Sequence, residues 1–315
     1  MAAELLSFII PVYRNFSGIY PTLDSLFLQD YPAIELIIAD DGSPNYMEEL
    51  PRLKQYIEAH RPQNIREVIY HHLPENRGTV INCNTAYRMA HGVYLKDLAP
   101  EDELACPDAL SRYVACLKKT GALLCFSRQI GITEDGAEVA HLSSSAEDYD
   151  VLSRLTPDKM EKRLFARNCL PGTAWMARRE LYERYGYYLE HTRLVEDYPY
   201  WLHLSHQGVS FAFLNDVLIR YKLSGSGQGH YSPQFIRDVQ SIYAKQIFPY
   251  DHRFGPLQGG YNLLKRMGLE AYMDRACWDT YTFRKKLSAC LCRWPFHALL
   301  RLQEAGNRLK NRKMS

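Results

Sequence analysis

Apolar residues gather into short runs along the first 130 positions, and each run stops at a polar or turn-forming group. Residues 5–13 (LLSFIIPVY), 35–39 (ELIIA), 66–71 (REVIYH), 93–98 (VYLKDL) and 122–127 (ALLCFS) are too short for independent helices and rich in branched or aromatic residues. They predict strands 1 to 5. Between them the apolar spacing lengthens to a helical period over residues 19–28, 46–60, 78–91 and 107–119. In the first of these Leu23, Leu26 and Phe27 fall on one face. Strand-like and helix-like segments that alternate in this way predict βαβ units and a mainly parallel sheet with helices on both faces.

Beyond Ser127 the alternation weakens. Residues 131–150 are polar and turn-rich, which suits a hairpin and an excursion. Residues 156–168 read as a helix and residues 174–176 as a short strand after the turn Leu170-Pro171-Gly172-Thr173. Residues 179–185 and 196–207 read as helices, residues 209–221 as extended chain, and residues 224–230 as a glycine-serine loop. Residues 233–248 and 262–278 have the spacing of accessory helices.

A chain of 315 residues can bury one large core, or one core and a small second unit. With 46% hydrophobic and 23% charged residues it is neither a disordered chain nor a membrane-embedded one. The eight cysteines form no metal-ligand spacing, since Cys290 and Cys292 stand alone as a close pair. No signal-peptide pattern opens the chain and no apolar run is long enough to span a bilayer, so a cytoplasmic location is expected. Charge is uneven. From residue 284 to 315 nine basic residues face one acid, so this stretch carries about +8 and the remainder is net acidic.

The chemistry sits where strands end. Asp40-Asp41-Gly42-Ser43 follows strand 2, Glu101-Asp102 follows strand 4, and Glu196-Asp197 opens a helix much later. Acidic groups beyond the ends of parallel strands suit a nucleotide-and-metal pocket in an open α/β sheet. Taken singly, each group also reads as a turn or a helix cap.

Taken together, SFIIPVYRN, IIADDGS, ENRGTVINCNTAYRMAHGVYLK and EDYPYWLHLSHQG, in this order and spacing, resemble the family 2 inverting glycosyltransferases of bacterial surface-polysaccharide type. The resemblance implies a Rossmann-like GT-A fold and a UDP-sugar donor. It also implies a glycan or lipid-linked saccharide acceptor, as in polysaccharide, O-antigen or capsule biosynthesis. Residues 1–230 would be the catalytic domain, with a nucleotide-binding half (1–105) and an acceptor-binding half (106–230). Residues 231–315 would be a C-terminal helical extension.

Position by position, the resemblance places Pro11, Val12 and Tyr13 along the base-binding edge and either Asp40 or Asp41 against uracil or ribose. It assigns Asn76, Arg77, Asn84 and Lys222 to the remaining nucleotide contacts. Mn²⁺ or Mg²⁺ would be held by Glu101 and Asp102, with His230 as a further ligand. Gly172, Thr173 and Trp175 would form the acceptor floor, and Asp197 would be the base with Glu196 beside it. Two positions depart from the family pattern. Ala99 stands where the first metal-binding aspartate is expected, and Cys83 where many relatives place a phosphate-binding arginine. These departures leave an alternative open: a nucleotide- or carbohydrate-binding protein on a degenerate scaffold.

The basic tail mixes its charge with Leu287, Leu291, Trp294, Phe296 and Leu299. Such a segment either lies on an anionic membrane surface or packs on protein. No stacking platform accompanies the charge, which argues against nucleic acid.

Overall fold

The computed structural model describes residues 3–133, 135–139, 146–223, 232–254 and 262. The chain divides into two compact units, Met1–Gly229 and His230–Ser315. In the first unit β1 (Leu6–Val12), β2 (Ile34–Asp40), β3 (Ile65–His72) and β4 (Tyr94–Asp97) are linked through α1 (Ile19–Phe27), α2 (Tyr46–His60) and α3 (Thr79–Met89). Then follow β5 (Glu103–Leu104), α4 (Ala109–Thr120), β6 (Leu124–Ile132), β7 (Glu138–Val139), α5 (Ala146–Leu152) and α6 (Pro157–Ala166). The unit closes with β8 (Trp175–Arg178), α7 (Arg179–Tyr185), α8 (Asp197–His206) and β9 (Ala212–Lys222).

One sheet contains all nine strands, in the order β3-β2-β1-β4-β8-β6-β9-β5, with β7 on β6. From β3 to β4 every pairing is parallel. All seven residues of β2 are buried, as are six of the seven in β1. Continuous apolar runs of this kind are what a sheet covered on both faces requires. Beyond β4 the parallel run gives way to mixed pairing. β8 runs antiparallel to β4 and β6, β5 antiparallel to β9, and only β6 and β9 pair in parallel. The sheet is therefore mixed.

The strand order reverses at β1. The chain moves outward from β1 to β3, then returns to place β4 on the other side of β1. Strands diverge from their connecting helices at such a switch point and leave a crevice at their carboxyl ends. Val12 and Asp40 are register partners there, as are Asp40 and His72. In the second unit α9 (Pro233–Ile242) is capped by the Ser232 hydroxyl, which accepts from the Phe235 N–H at 3.2 Å. It continues into a π-helical turn, Tyr243–Ile247. The tail and the expected helix over residues 262–278 lie outside the described residues, Asn262 excepted.

Candidate active site

At the end of β2, the adjacent aspartates do different things. Asp41 accepts from the backbone N–H groups of Arg77 at 2.7 Å and Gly78 at 2.9 Å, so both its oxygens hold the loop before α3. Asp40 is fully buried. Its Oδ2 accepts from Ser43 N–H at 2.8 Å and from His72 Nδ1 at 2.6 Å, while its Oδ1 has no hydrogen-bond partner. A buried carboxylate oxygen left unpaired marks a place for an incoming donor. Gly42 makes this turn feasible with a φ of +71°, and a Cβ there would stand 2.3 Å from the Glu75 carbonyl carbon. Close by at the end of β1, Val12 is buried, Pro11 is half-buried, and Tyr13 is 40% exposed with the Arg14 guanidinium 4.9 Å from its ring centre.

Beyond β4, Asp102 is 2% exposed. Its Oδ1 accepts from the Lys222 N–H at 2.9 Å, and its Oδ2 has no partner. Burial pushes this carboxyl up to about 7, with the neighbouring Glu101 and Asp97 charges adding to the rise. Glu101 has a left-handed backbone, φ 77°. It lines a cavity of about 180 Å³ with Ser17, Gly18, Pro21, Glu103, Arg220 and Lys222. Lys222 reaches along this wall to donate its Nζ to the Thr133 carbonyl at 3.1 Å. An unpaired buried oxygen on a hard carboxylate fits a divalent cation, so Asp102 suits the metal position despite Ala99.

Asp97, just upstream, is buried and accepts from the Tyr87 hydroxyl at 2.7 Å. Among the described residues one group, Glu35, Glu67 and His91, also has metal-ligand spacing. It lies at the opposite edge, because Glu35 is the second residue of β2 and Asp40 the last, about 17 Å apart. Glu35 is moreover occupied by Ser7 Oγ at 2.5 Å and by His91 Nδ1 at 2.6 Å. It is a structural cluster.

Asp197 is the first residue of α8, with Glu196 as its N-cap. Its Oδ2 accepts from the Asn168 amide at 3.0 Å. Burial raises its carboxyl above the ordinary range, while donation from the Tyr198 backbone N–H and from Asn168 pulls the other way. Gly172 lies against it, and a Cβ at Gly172 would stand 3.0 Å from Oδ2. Thr173 donates its hydroxyl to Gln129 at 2.8 Å.

Three expected contacts are corrected. Trp175 has no exposed surface and donates its indole N–H to the Gly172 carbonyl, so it supports the floor from beneath. Asn84 is fully buried and clamps the Tyr188 backbone through both ends of its amide. The Arg77 side chain points to solvent 3.8 Å from Glu75, and only its backbone enters the site. His230 and the loop over residues 224–230 lie outside the described residues.

Two residues escaped the sequence reading. Arg193, on the loop before α8, donates Nη2 to the Asn76 carbonyl at 2.7 Å and side-chain oxygen at 2.5 Å. It thereby brings a guanidinium to the start of α3, the region where Cys83 lacks one. Cys83 itself is buried, and burial holds its thiol far above the ordinary range. Lys96 is fully buried and donates its Nζ to the carbonyls of Asp97 and Thr173, tying β4 to the floor. Burial lowers this ammonium to about 8. A lysine inside the apolar run YLKDL was the available signal.

The model of glycosyl transferase family 2 matches residues 7–186. The chain belongs to this family. It is accordingly an inverting glycosyltransferase that draws its sugar from a nucleotide-linked donor. No curated protein matches it by sequence. Among solved structures, the mannosyltransferase PcManGT from Pyrobaculum calidifontis, in complex with GDP-Man and Mn²⁺, is 19% identical with a TM-score of 0.58. That match covers 97% of this chain and 81% of the other. S. aureus TarS in complex with UDP-GlcNAc is 14% identical with a TM-score of 0.54, over 85% of this chain and 82% of the other. GalNAc-T7 with UDP, GalNAc and Mn²⁺ is 17% identical with a TM-score of 0.54, over 88% of this chain and 57% of the other. At these identities the likeness carries the fold alone.

Proposed function

We propose that this glycosyltransferase moves a sugar from a UDP-linked donor to a hydroxyl of a glycan or lipid-linked saccharide, with Asp197 as base. The observation that carries the reading is a pair of buried carboxylate oxygens without partners, Asp40 Oδ1 and Asp102 Oδ2, at the carboxyl edge of the sheet. Asp40 accepts the ring N–H of the base. Tyr13 and Pro11 flank the nucleoside, and Asp41 keeps the Asn76–Gly78 loop in place around it. Arg193 offers its guanidinium to the diphosphate, the group that needs planar, charged donors.

Asp102, with Glu101 beside it, would hold Mn²⁺ or Mg²⁺, which supplies positive charge against the diphosphate. The acceptor hydroxyl gives its proton to Asp197 as its oxygen forms the new bond to the anomeric carbon. The bond from that carbon to the β-phosphate oxygen breaks, and its electron pair leaves with UDP. A single displacement inverts the anomeric centre. Gly172 keeps the space in front of Asp197 open for the acceptor.

No helix among the described residues is long and apolar enough to cross a membrane. The basic tail would bring the enzyme to an anionic bilayer, where a lipid-linked acceptor resides. Nucleotide release from UDP-, GDP-, CMP- and dTDP-sugars, with Mn²⁺ and with EDTA, tests the reading. Cation-dependent release from a UDP-sugar is expected. Release from another nucleotide alone overturns the donor assignment, and release undiminished by EDTA overturns the metal assignment.

A further inference from the structure

Asp40 is held asymmetrically, and the holder is His72. His72 closes β3 and is the register partner of Asp40 on the neighbouring strand. A carboxylate only accepts, so the contact at 2.6 Å is donation from His72 Nδ1–H to Oδ2. The imidazole lies flat on the Tyr46 ring, with centroids 4.1 Å apart and planes 13° apart. Tyr46 is buried at the start of α2, so the histidine rests on a fixed surface. Ser43 N–H, from the turn after β2, takes the remaining place on Oδ2. Two donors from separate segments thus converge on one oxygen and leave Oδ1 unpaired.

We propose that His72 is a positioning residue for nucleobase recognition. Its N–H pins Oδ2 so that Oδ1 is presented to the ring N–H of uracil or guanine, which the ring nitrogen of cytosine lacks. The inference rests on the nucleotide-sugar reading above. Without the pin, the carboxylate can turn about its last torsion and lose the presented geometry before the base arrives. Since His72 acts only on the base, it affects donor binding and leaves the transfer step untouched.

Two variants of the full-length chain separate the N–H from the ring. His72→Phe keeps the ring over Tyr46 and loses the donor. His72→Asn keeps an N–H near the position of Nδ1 and loses the ring. Calorimetric titration with UDP and with GDP is expected to show the favoured nucleotide binding His72→Phe about tenfold or more weakly. His72→Asn should stay within about threefold of the unsubstituted protein. In turnover, His72→Phe should raise the donor KM by the same factor at unchanged kcat. His72→Leu replaces His72→Phe if melting shows that the latter does not fold. Undiminished affinity in His72→Phe, with affinity lost in Asp40→Ala, overturns the role of His72 and leaves the nucleotide reading intact. Equal losses in both His72 variants also overturn it, because the ring and not the N–H would then matter. Binding of neither nucleotide to the unsubstituted protein overturns the reading and this inference with it.

Discussion

Asp197 and Asp102 are both carboxyls raised by burial, yet the consequences differ because the proposed base must be ionised to take a proton from the acceptor, whereas the proposed metal ligand must be ionised to hold a cation. For Asp197, a raised value means that the base is lost to protonation at a higher pH than an ordinary carboxylate would be. Turnover therefore falls as pH drops through that value. Asn168 donates to Asp197 and holds the value down, so Asn168→Ala should move the acid limb of the kcat profile upward; an unmoved limb would refute the assignment. Asp197→Asn keeps shape and removes basicity. A loss in kcat of about 10²–10⁴-fold is expected, with UDP affinity by calorimetry unchanged.

Asp102 is raised to about 7 in the folded protein against roughly 3.9 unfolded. The folded state binds this proton more tightly, so its contribution to stability is present at low pH and is lost as pH rises through about 7. A cation must displace the proton below that point. Mn²⁺ affinity should thus fall about tenfold per pH unit below 7 and level off above it. Asp102→Asn should raise the metal-free Tm at pH 8 and abolish stabilisation by Mn²⁺, both readable in one thermal-shift series.

At the scale of elements, the site is made by the turns that follow strands, and their glycines are backbone requirements. Gly42 has a left-handed φ, and any Cβ there would collide with the loop that Asp41 holds. Gly42→Ala should cost about 2–4 kcal/mol in urea unfolding and weaken nucleotide binding with it. β1 and β2 were legible because runs buried on both faces need no partner to explain them. β6 was expected to stop at Ser127 but continues to Ile132. Its polar residues Arg128 and Gln129 look like loop in isolation, and pairing with β9 supplies the missing hydrogen bonds. β5 has only two residues and exists through its pairing with β9. Asn84 lies inside a matching motif and Trp175 inside the stretch that the family model matches, but their neighbours come from distant segments, so their burial could not be read along the chain.

For the whole molecule, the tail charge predicts one behaviour. The full-length protein should sediment with phosphatidylserine-containing vesicles at low salt and release by about 0.5 M salt, as screening requires. No sedimentation at low salt would remove the membrane placement. The sequence by itself determined the alternation of strands and helices, the family, and the edge of the sheet where the acids gather. Those follow from periodicity and from motifs a few residues long. Tertiary structure decided which acids remain unpaired, since that depends on donors far away. Asp40 and Asp41 are neighbours with the same chemistry, and only folding tells them apart: Arg77 and Gly78 occupy one, while His72 and Ser43 leave an oxygen of the other unpaired. Likewise Arg193 meets Asn76 across 117 positions, a separation that no local pattern spans.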